Sequence, residues 1–295
     1  MARNRPDLRY FLLILALLSG FGQICKGGTG APERIISLAP NLTETVFKLG
    51  AGNRLVGRTE FGLFPAGARE IPSVGGYLNP DYEKIVALQP DLILMLPNKT
   101  MENRFRELGI PAVHFRDETL EEIMESVSRL GALLNLEKRS HQIVAGIRDT
   151  LKLVRSRGRK LATVSAALLV GRNAGSLRGL YAAGKNTYLS QLWAACGGKN
   201  SFADLSPRYF SVSQEDLIRR NPDAIIEFRV IAADSSRQAV SRLRHDWDAL
   251  PTLKAVRTGH IKIFTDRYFL IPGPRIARMA MEFSRVLSNF AETKP

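Results

Sequence analysis

The sequence predicts an α/β protein built as two similar units joined by one long helix. Three observations carry that expectation. Short apolar, β-rich runs alternate with amphipathic stretches through both halves, the pattern of a parallel sheet with crossover helices. From Leu136 to about Arg157 the alternation stops, and a long polar helical stretch with no strand takes its place. The segment Glu83 to Leu94 also lays over Glu215 to Ile226 at a constant offset of 132 residues. In both copies a Glu stands in the first turn of a short helix, where the helix dipole favours it, and a Pro-Asp turn then launches an apolar strand.

The elements follow in order. Arg3, Arg5 and Arg9 precede an apolar run from Tyr10 to Leu18, and Ser19, Gly20, Phe21 and Gly22 come after it. These are the parts of a secretory signal, and the run is about half of the ~20 residues that span a bilayer. A signal peptide is expected over 1–22 and a flexible spacer over 23–32. Cys25 raises the alternative of a lipid anchor, but Ile24 before it is not the small residue such a site usually has. Export without lipid is the favoured reading, which places the protein in the periplasm or outside the cytoplasm.

Arg34–Leu38 reads as a strand. Asn41-Leu42-Thr43-Glu44 reads as a capping-box start, with Leu42, Val46 and Leu49 on one helical face until Gly50. Leu55–Gly57 is a short strand, and Asn79-Pro80 is expected to open a helix with proline in its first position. Asp91–Leu96 suits a buried parallel strand, Ala112–Phe115 is another, and Thr119 to Glu122 caps the next helix. The first unit takes in 33–134 and the linker helix 135–158. Leu161–Val170 restarts the β pattern, and strands at Ala224–Phe228 and Ile261–Phe264 follow. Helices begin near Thr187, Ser213, Asp234 and Pro274. The second unit spans 159–295, and two such lobes leave a cleft, a usual place for a ligand.

Composition sets the class. The 295 residues are 45% hydrophobic and 24% charged, ordinary values for a soluble globular chain that exclude wholesale disorder and a polytopic membrane protein. The net charge is +14, and loss of residues 1–22, with three basic and one acidic residue, would leave +12. Nucleic acid is the reflex partner for such a charge, but export argues against it and no recognition motif is present. Gly179 to Lys185 fits the G-x-x-x-x-G-K phosphate-loop spacing, but Asn186 stands where Ser or Thr must reach Mg²⁺. The stretch reads better as a cleft-wall loop that puts Tyr181 forward. His114, His141, His245 and His260 are isolated, so no metal site is expected, and Cys196 reads as a small buried residue at a helix end. With no nucleophile elbow and no paired carboxylates, the sequence offers no catalytic residues and no resident cofactor.

Aromatic residues recur in predicted loops: Phe61, Phe64, Tyr77, Tyr181, Tyr209, Phe210, Tyr268 and Phe269. Such a set suits a large, flat or cyclic ligand. Arg58, Arg178, Arg208 and Arg267 lie near them in sequence and suit anionic groups.

Several segments together resemble a known family. They are Arg34 to Glu44, Val74-Gly75-Gly76-Tyr77, Glu83 to Leu94, Cys196 to Asn200, and Pro272-Gly273-Pro274-Arg275. Over nearly all of 33–290 the chain is similar to the periplasmic substrate-binding proteins of cobalamin and iron-chelate ABC importers, most of all the vitamin B12-binding branch. The resemblance implies a class III binding protein, with two Rossmann-like lobes bridged by one rigid helix and little closure on binding. It implies a monomer that catalyses nothing and delivers its ligand to an inner-membrane permease and ATPase complex. Family pocket aromatics carry over onto Phe61, Tyr77, Tyr181 and Tyr209, and permease-docking glutamates onto Glu83 and Glu215. Where the branch has an acid and an arginine in its last cleft loop, this chain has Arg267 and Ile271, and Leu96 replaces a third aromatic. The expected ligand is cobalamin or a related corrinoid, then a ferric siderophore, then haem; Arg267 is a polar contact that favours the anionic alternatives. A two-lobe cleft enzyme and a structural envelope protein are the readings from other classes.

Overall fold

The computed structural model describes residues 30–230 and 237–292. The expected signal peptide, its cleavage point and Cys25 lie outside them. Strand β1 (Ile35–Ser37) is buried throughout and passes through Ala39 into helix α1 (Pro40–Leu49). Pro40 takes the first helical position, where a missing N–H does no harm, and no side chain caps the helix. The capping box expected at Asn41–Glu44 is therefore absent. Both residues already lie inside the helix, and their side chains bond to other elements. Gly50 ends α1 at φ 95°, as expected of a left-handed cap.

After β2 (Leu55–Arg58), a loop with a short 3₁₀ turn leads to α2 (Tyr82–Ala87). Asn79-Pro80 does not open this helix. Pro80 pairs with Gly75 in an isolated bridge, and Asp81 is the cap, accepting the Lys84 N–H at 3.0 Å. Then come β3 (Leu92–Met95), α3 (Lys99–Glu107), β4 (Ala112–His114) and α4 (Leu120–Leu133), the last with the Thr119–Glu122 capping box in place. The four strands are parallel in the order β2-β1-β3-β4. The strand order reverses between β1 and β3, so the ligand crevice of such a sheet lies beyond their C-terminal ends.

Helix α5 (Glu137–Gly158) buries Ile143, Val144, Ile147, Leu151 and Val154, while Arg148, Lys152, Arg155 and Arg157 stay exposed. The second sheet follows: β5 (Ser165–Gly171), β6 (Leu180–Ala183), α6 (Tyr188–Ala195), β7 (Lys199–Asn200), β8 (Tyr209–Val212), α7 (Gln214–Arg220) and β9 (Ala224–Phe228). It closes with α8 (Arg237–His245), α9 (Lys254–Arg257), β10 (Ile261–Phe264) and α10 (Ile276–Glu292). The helix start expected at Asp234 falls outside the described residues. The order is β10-β9-β5-β6-β8, with β10, β9 and β5 parallel and β6 and β8 antiparallel. Most of the stretch read as a cleft-wall loop is thus strand. Leu180-Tyr181-Ala182-Ala183 returns against β5 after a turn in which Gly179 has φ 62°.

The internal repeat is geometric as well as sequential. Gln89 and Asn221, 132 residues apart, both follow their short helices with positive φ, 47° and 42°. Asp91 accepts the Glu33 and Arg34 N–H groups at the start of β1, and Asp223 accepts the Ser165 N–H at the start of β5. Each clamp holds the strand that follows the Pro-Asp turn against its parallel neighbour, Leu92 beside Ile35 and Ala224 beside Ala166.

One buried cluster runs through both halves, from Ile35, Leu42 and Leu94 by way of Leu130, Ile147 and Leu189 to Trp193, Phe228 and Phe283. The two sheets share a core through α1, α4, α5, α6 and α10. That continuity resists large relative motion, because a packed core has few ways to slide.

Candidate functional site

The crevice end of the first sheet meets the second half of the chain. Asn41, at the start of α1, donates its amide N–H to Asp117 at 2.9 Å. Gly273 lies directly behind it, and a Cβ there would come 3.3 Å from Asn41 Cβ. Two further bonds tie the loop after β4 and the start of α4 to α6: Tyr188 N–H donates to the Glu118 carbonyl at 2.6 Å, and Leu120 N–H donates to Gln191 Oε1 at 2.8 Å. Between these elements is a cavity of 320 Å³ whose walls include Asp117, Glu118, Tyr188, Tyr209 and Pro272.

This end of the cleft is poor in solvent and rich in acid. Burial, with the charges of Glu118 and Glu122, pushes Asp117 up to about 7, against the opposing Asn41 hydrogen bond. Burial first raises both Tyr188 and Tyr209; next come Tyr209, Asp117 and Glu118 for Tyr188, and Glu118 and Asp117 for Tyr209. Tyr77 is also raised by burial, opposed by its hydrogen bond to the Asn98 side chain and reinforced by Asp117. The Asp117 charge therefore acts on Tyr77 from the loop after β2, Tyr188 from α6 and Tyr209 from β8.

The structure divides the expected site residues into two groups. Tyr77, Tyr181 and Tyr209 belong to the acidic end. Register places Tyr181 opposite Ser211 and Ala183 opposite Tyr209, so Tyr181 and Tyr209 are diagonal neighbours on one sheet face. Their rings stack with centroids 6.4 Å apart and planes 15° from parallel. Phe61 lies in the loop after β2, 48% exposed, and the Arg267 guanidinium sits 5.5 Å from its ring centre. That pair spans from the first sheet's loops to the segment after β10.

Other candidates serve packing. Arg58 is buried, with its guanidinium bonded to the carbonyls of Thr59, Ala68 and Arg69. Tyr268 and Phe269 are core residues of the 3₁₀ turn Arg267–Leu270, and Leu96 packs against the shared core. Phe64 stacks under Arg275 at 4.1 Å, and Arg275 forks onto the buried Glu44 of α1 across a sequence separation of 231. Burial raises the Glu44 carboxyl even against that partner.

Sequence reasoning missed Asp117, Glu118, Asn41 and Tyr188. A signal was present: two adjacent acids just beyond a parallel strand and just before a helix cap, at the edge where an α/β sheet presents its ligand.

Glu83 and Glu215 are both exposed second residues of short helices, α2 and α7. One turn further on, Val86 and Ile218 are each 46% exposed, again at the offset of 132. Hydrogen bonds from its own backbone and from Ser213 hold the Glu215 carboxyl below its ordinary range. A larger cavity, 690 Å³, lies elsewhere, between α4, the end of α5 and α6. It is an open groove without aromatic walls, so the convergence of tyrosines and carboxyls, not size, identifies the site. Among the described residues no group of three His, Cys, Asp or Glu is placed to hold a metal ion, and no helix is long and apolar enough to cross a membrane.

Comparison with known proteins agrees with this architecture. The sequence is 27% identical over 265 residues to the vitamin B12-binding protein of Vibrio parahaemolyticus, covering 89% of this chain and 90% of that one. It is 25% identical over 232 residues to the uncharacterized ABC transporter substrate-binding lipoprotein YvrC of Bacillus subtilis, covering 76% and 70%. The crystal structure of the periplasmic vitamin B12 binding protein BtuF of Vibrio cholerae superposes with a TM-score of 0.74 at 24% identity, covering 88% of this chain and 98% of that one. That likeness shows a shared α/β fold over most of both chains. The sequence pattern of the periplasmic binding proteins matches residues 35–268, and the chain belongs to that family.

Proposed function

We propose that this chain is the exported solute-binding protein of an ABC importer, taking up cobalamin or a related corrinoid between its lobes and handing it to an inner-membrane permease. The lobes are residues 33–134 and 159–295, with 135–158 as the bridge. Phe61, Tyr77, Tyr181 and Tyr209 supply ring faces to the ligand, and Arg267 supplies a polar contact. The chain acts as a monomer, and it binds and releases without chemistry on its ligand. The observation that carries the reading is that Tyr209, stacked on Tyr181, lines the cavity beside Asp117, and that Tyr77 from the loop after β2 also feels the Asp117 charge. Ring faces offer a flat ligand dispersion and apolar burial on both sides. Glu83 and Glu215, in matching places on two matching helices, are the docking contacts for a permease that presents arginines.

A second reading within the same family has one observation in its favour. Arg267 stands exposed over Phe61 and would attract an anionic ferric siderophore or haem. Equilibrium dialysis of the purified chain with cyanocobalamin tests the first reading. Trp193 and Trp247 are both fully buried in the second half, which makes dialysis a better readout than tryptophan emission. Saturable micromolar or tighter binding is expected, weakened roughly ten- to a hundredfold by Tyr77→Ala or Tyr209→Ala, the loss of about 1.5–3 kcal/mol of aromatic contact. Binding of hemin or a ferric siderophore with none of cyanocobalamin would overturn it.

A further inference from the structure

Given the cleft as the ligand site, we propose that Asp117 sets the chemical class of the ligand. It accepts a large ring whose rim carries amides or other uncharged hydrogen-bonding groups, and it rejects a rim of free carboxylates. Asp117 is part of the cavity wall between the two sheets, and the Asn41 amide fixes one of its oxygens. Glu118, the next residue, shares that wall. The other groups facing Asp117 are Glu122 on α4, Tyr77 from the loop after β2, and Tyr188 and Tyr209 from α6 and β8. Two of these hydroxyls are already engaged: Tyr188 donates to the Phe269 carbonyl at 2.9 Å, and Tyr77 is bonded to Asn98. Arg116 and Arg208 are exposed, and the charge of Arg208 acts on Tyr209.

The chemistry follows from what each partner can offer. An amide carries both an N–H and a C=O. An ionised Asp117 accepts from the first, and a protonated Asp117 donates to the second, so an amide rim is held in either state. A carboxylate on the ligand can pair with Asp117 only while Asp117 keeps its proton. Above the pH at which that proton leaves, two like charges would meet in a half-dry cavity, which disfavours binding. Burial and the neighbouring acids bring that pH to about 7, so the discrimination operates across the neutral range. Binding of a carboxylate rim then takes up one proton, and its affinity falls about tenfold per pH unit above the midpoint.

The test is equilibrium dialysis between pH 6 and 8.5 with two ligands that share one ring. Cyanocobalamin carries amides, and dicyanocobyrinic acid carries seven carboxylates in their place; wild type, Asp117→Asn and Glu118→Gln are compared. In wild type, cyanocobalamin affinity is expected to stay within about threefold across the range, while the heptacarboxylate weakens about tenfold per unit above pH 7. Asp117→Asn should abolish that slope for the heptacarboxylate. Glu118→Gln, which removes a neighbouring charge, should move the midpoint to lower pH. The same slope in Asp117→Asn as in wild type overturns the assignment while leaving the corrinoid reading intact. A third arm separates the two ideas: saturable binding of hemin with none of cyanocobalamin overturns the corrinoid reading and this inference together. If Asp117→Asn fails to fold, an unmoved midpoint in Glu118→Gln overturns the proposal by itself.

Discussion

Asp117 makes the residue scale measurable even without ligand. In the folded chain its carboxyl keeps a proton to about pH 7, while an unfolded aspartate loses its proton near 3.9. Between those values the folded state binds more protons, so stability falls as pH rises through the window and then levels off. At about 1.4 kcal/mol per unit the whole window amounts to roughly 4 kcal/mol. Asp117→Asn keeps an oxygen for the Asn41 amide and removes the titration. Urea melts should show the variant more stable than wild type at pH 8, with the gap closing toward pH 4; an equal gap at both would contradict this. The sequence showed the acids but not their burial, because an Asp beside a capping Thr reads as solvent-exposed helix lead-in. The aromatic side chains were legible one by one. Their grouping was not, since Tyr181 and Tyr209 meet only through the antiparallel register of β6 and β8.

At the scale of elements, the close approach of α5 to the end of α6 fixes where the linker stops. A Cβ on Gly158 would lie 2.1 Å from the Cys196 carbonyl oxygen, and one on Gly197 would lie 2.7 Å from the Gly158 oxygen. Alanine is the better helix former by about 1 kcal/mol, so propensity alone predicts that Gly158→Ala stabilises. The backbone contact predicts the opposite, a loss of about 1–3 kcal/mol from forced displacement. Chemical denaturation decides by the sign. Cys196 packs in the same place, its thiol pushed up to about 12 by burial, in keeping with an inert filler. The repeat was the most legible element pattern, because a Pro-Asp turn between a short helix and a strand leaves a local signature. The false starts at Asn41 and Asn79 have one cause. Capping residues were read where long-range bonds, Asn41 to Asp117 and Glu44 to Arg275, had the stronger claim, or where Asp81 two residues on was the true cap.

Across the whole molecule, two sheets share one core, and two equivalent helices present Glu83 and Glu215. Charge reversal at both glutamates should abolish ligand uptake in cells while leaving dialysis affinity and melting temperature within error of wild type. Unchanged uptake with the folded protein present would remove the docking assignment. The α/β class and the long helix were readable because periodicity and strand spacing are local. The cleft floor was not, because Asn41, Asp117, Tyr188 and Gly273 come together from four distant segments. Hydrogen–deuterium exchange with and without cyanocobalamin tests the central claim most directly. Protection is expected together in residues 59–64, 75–79 and 116–119 of the first lobe and 180–184, 207–211 and 266–273 of the second. Protection confined to one lobe, or centred on the groove between α4, α5 and α6, would contradict a ligand held between the two.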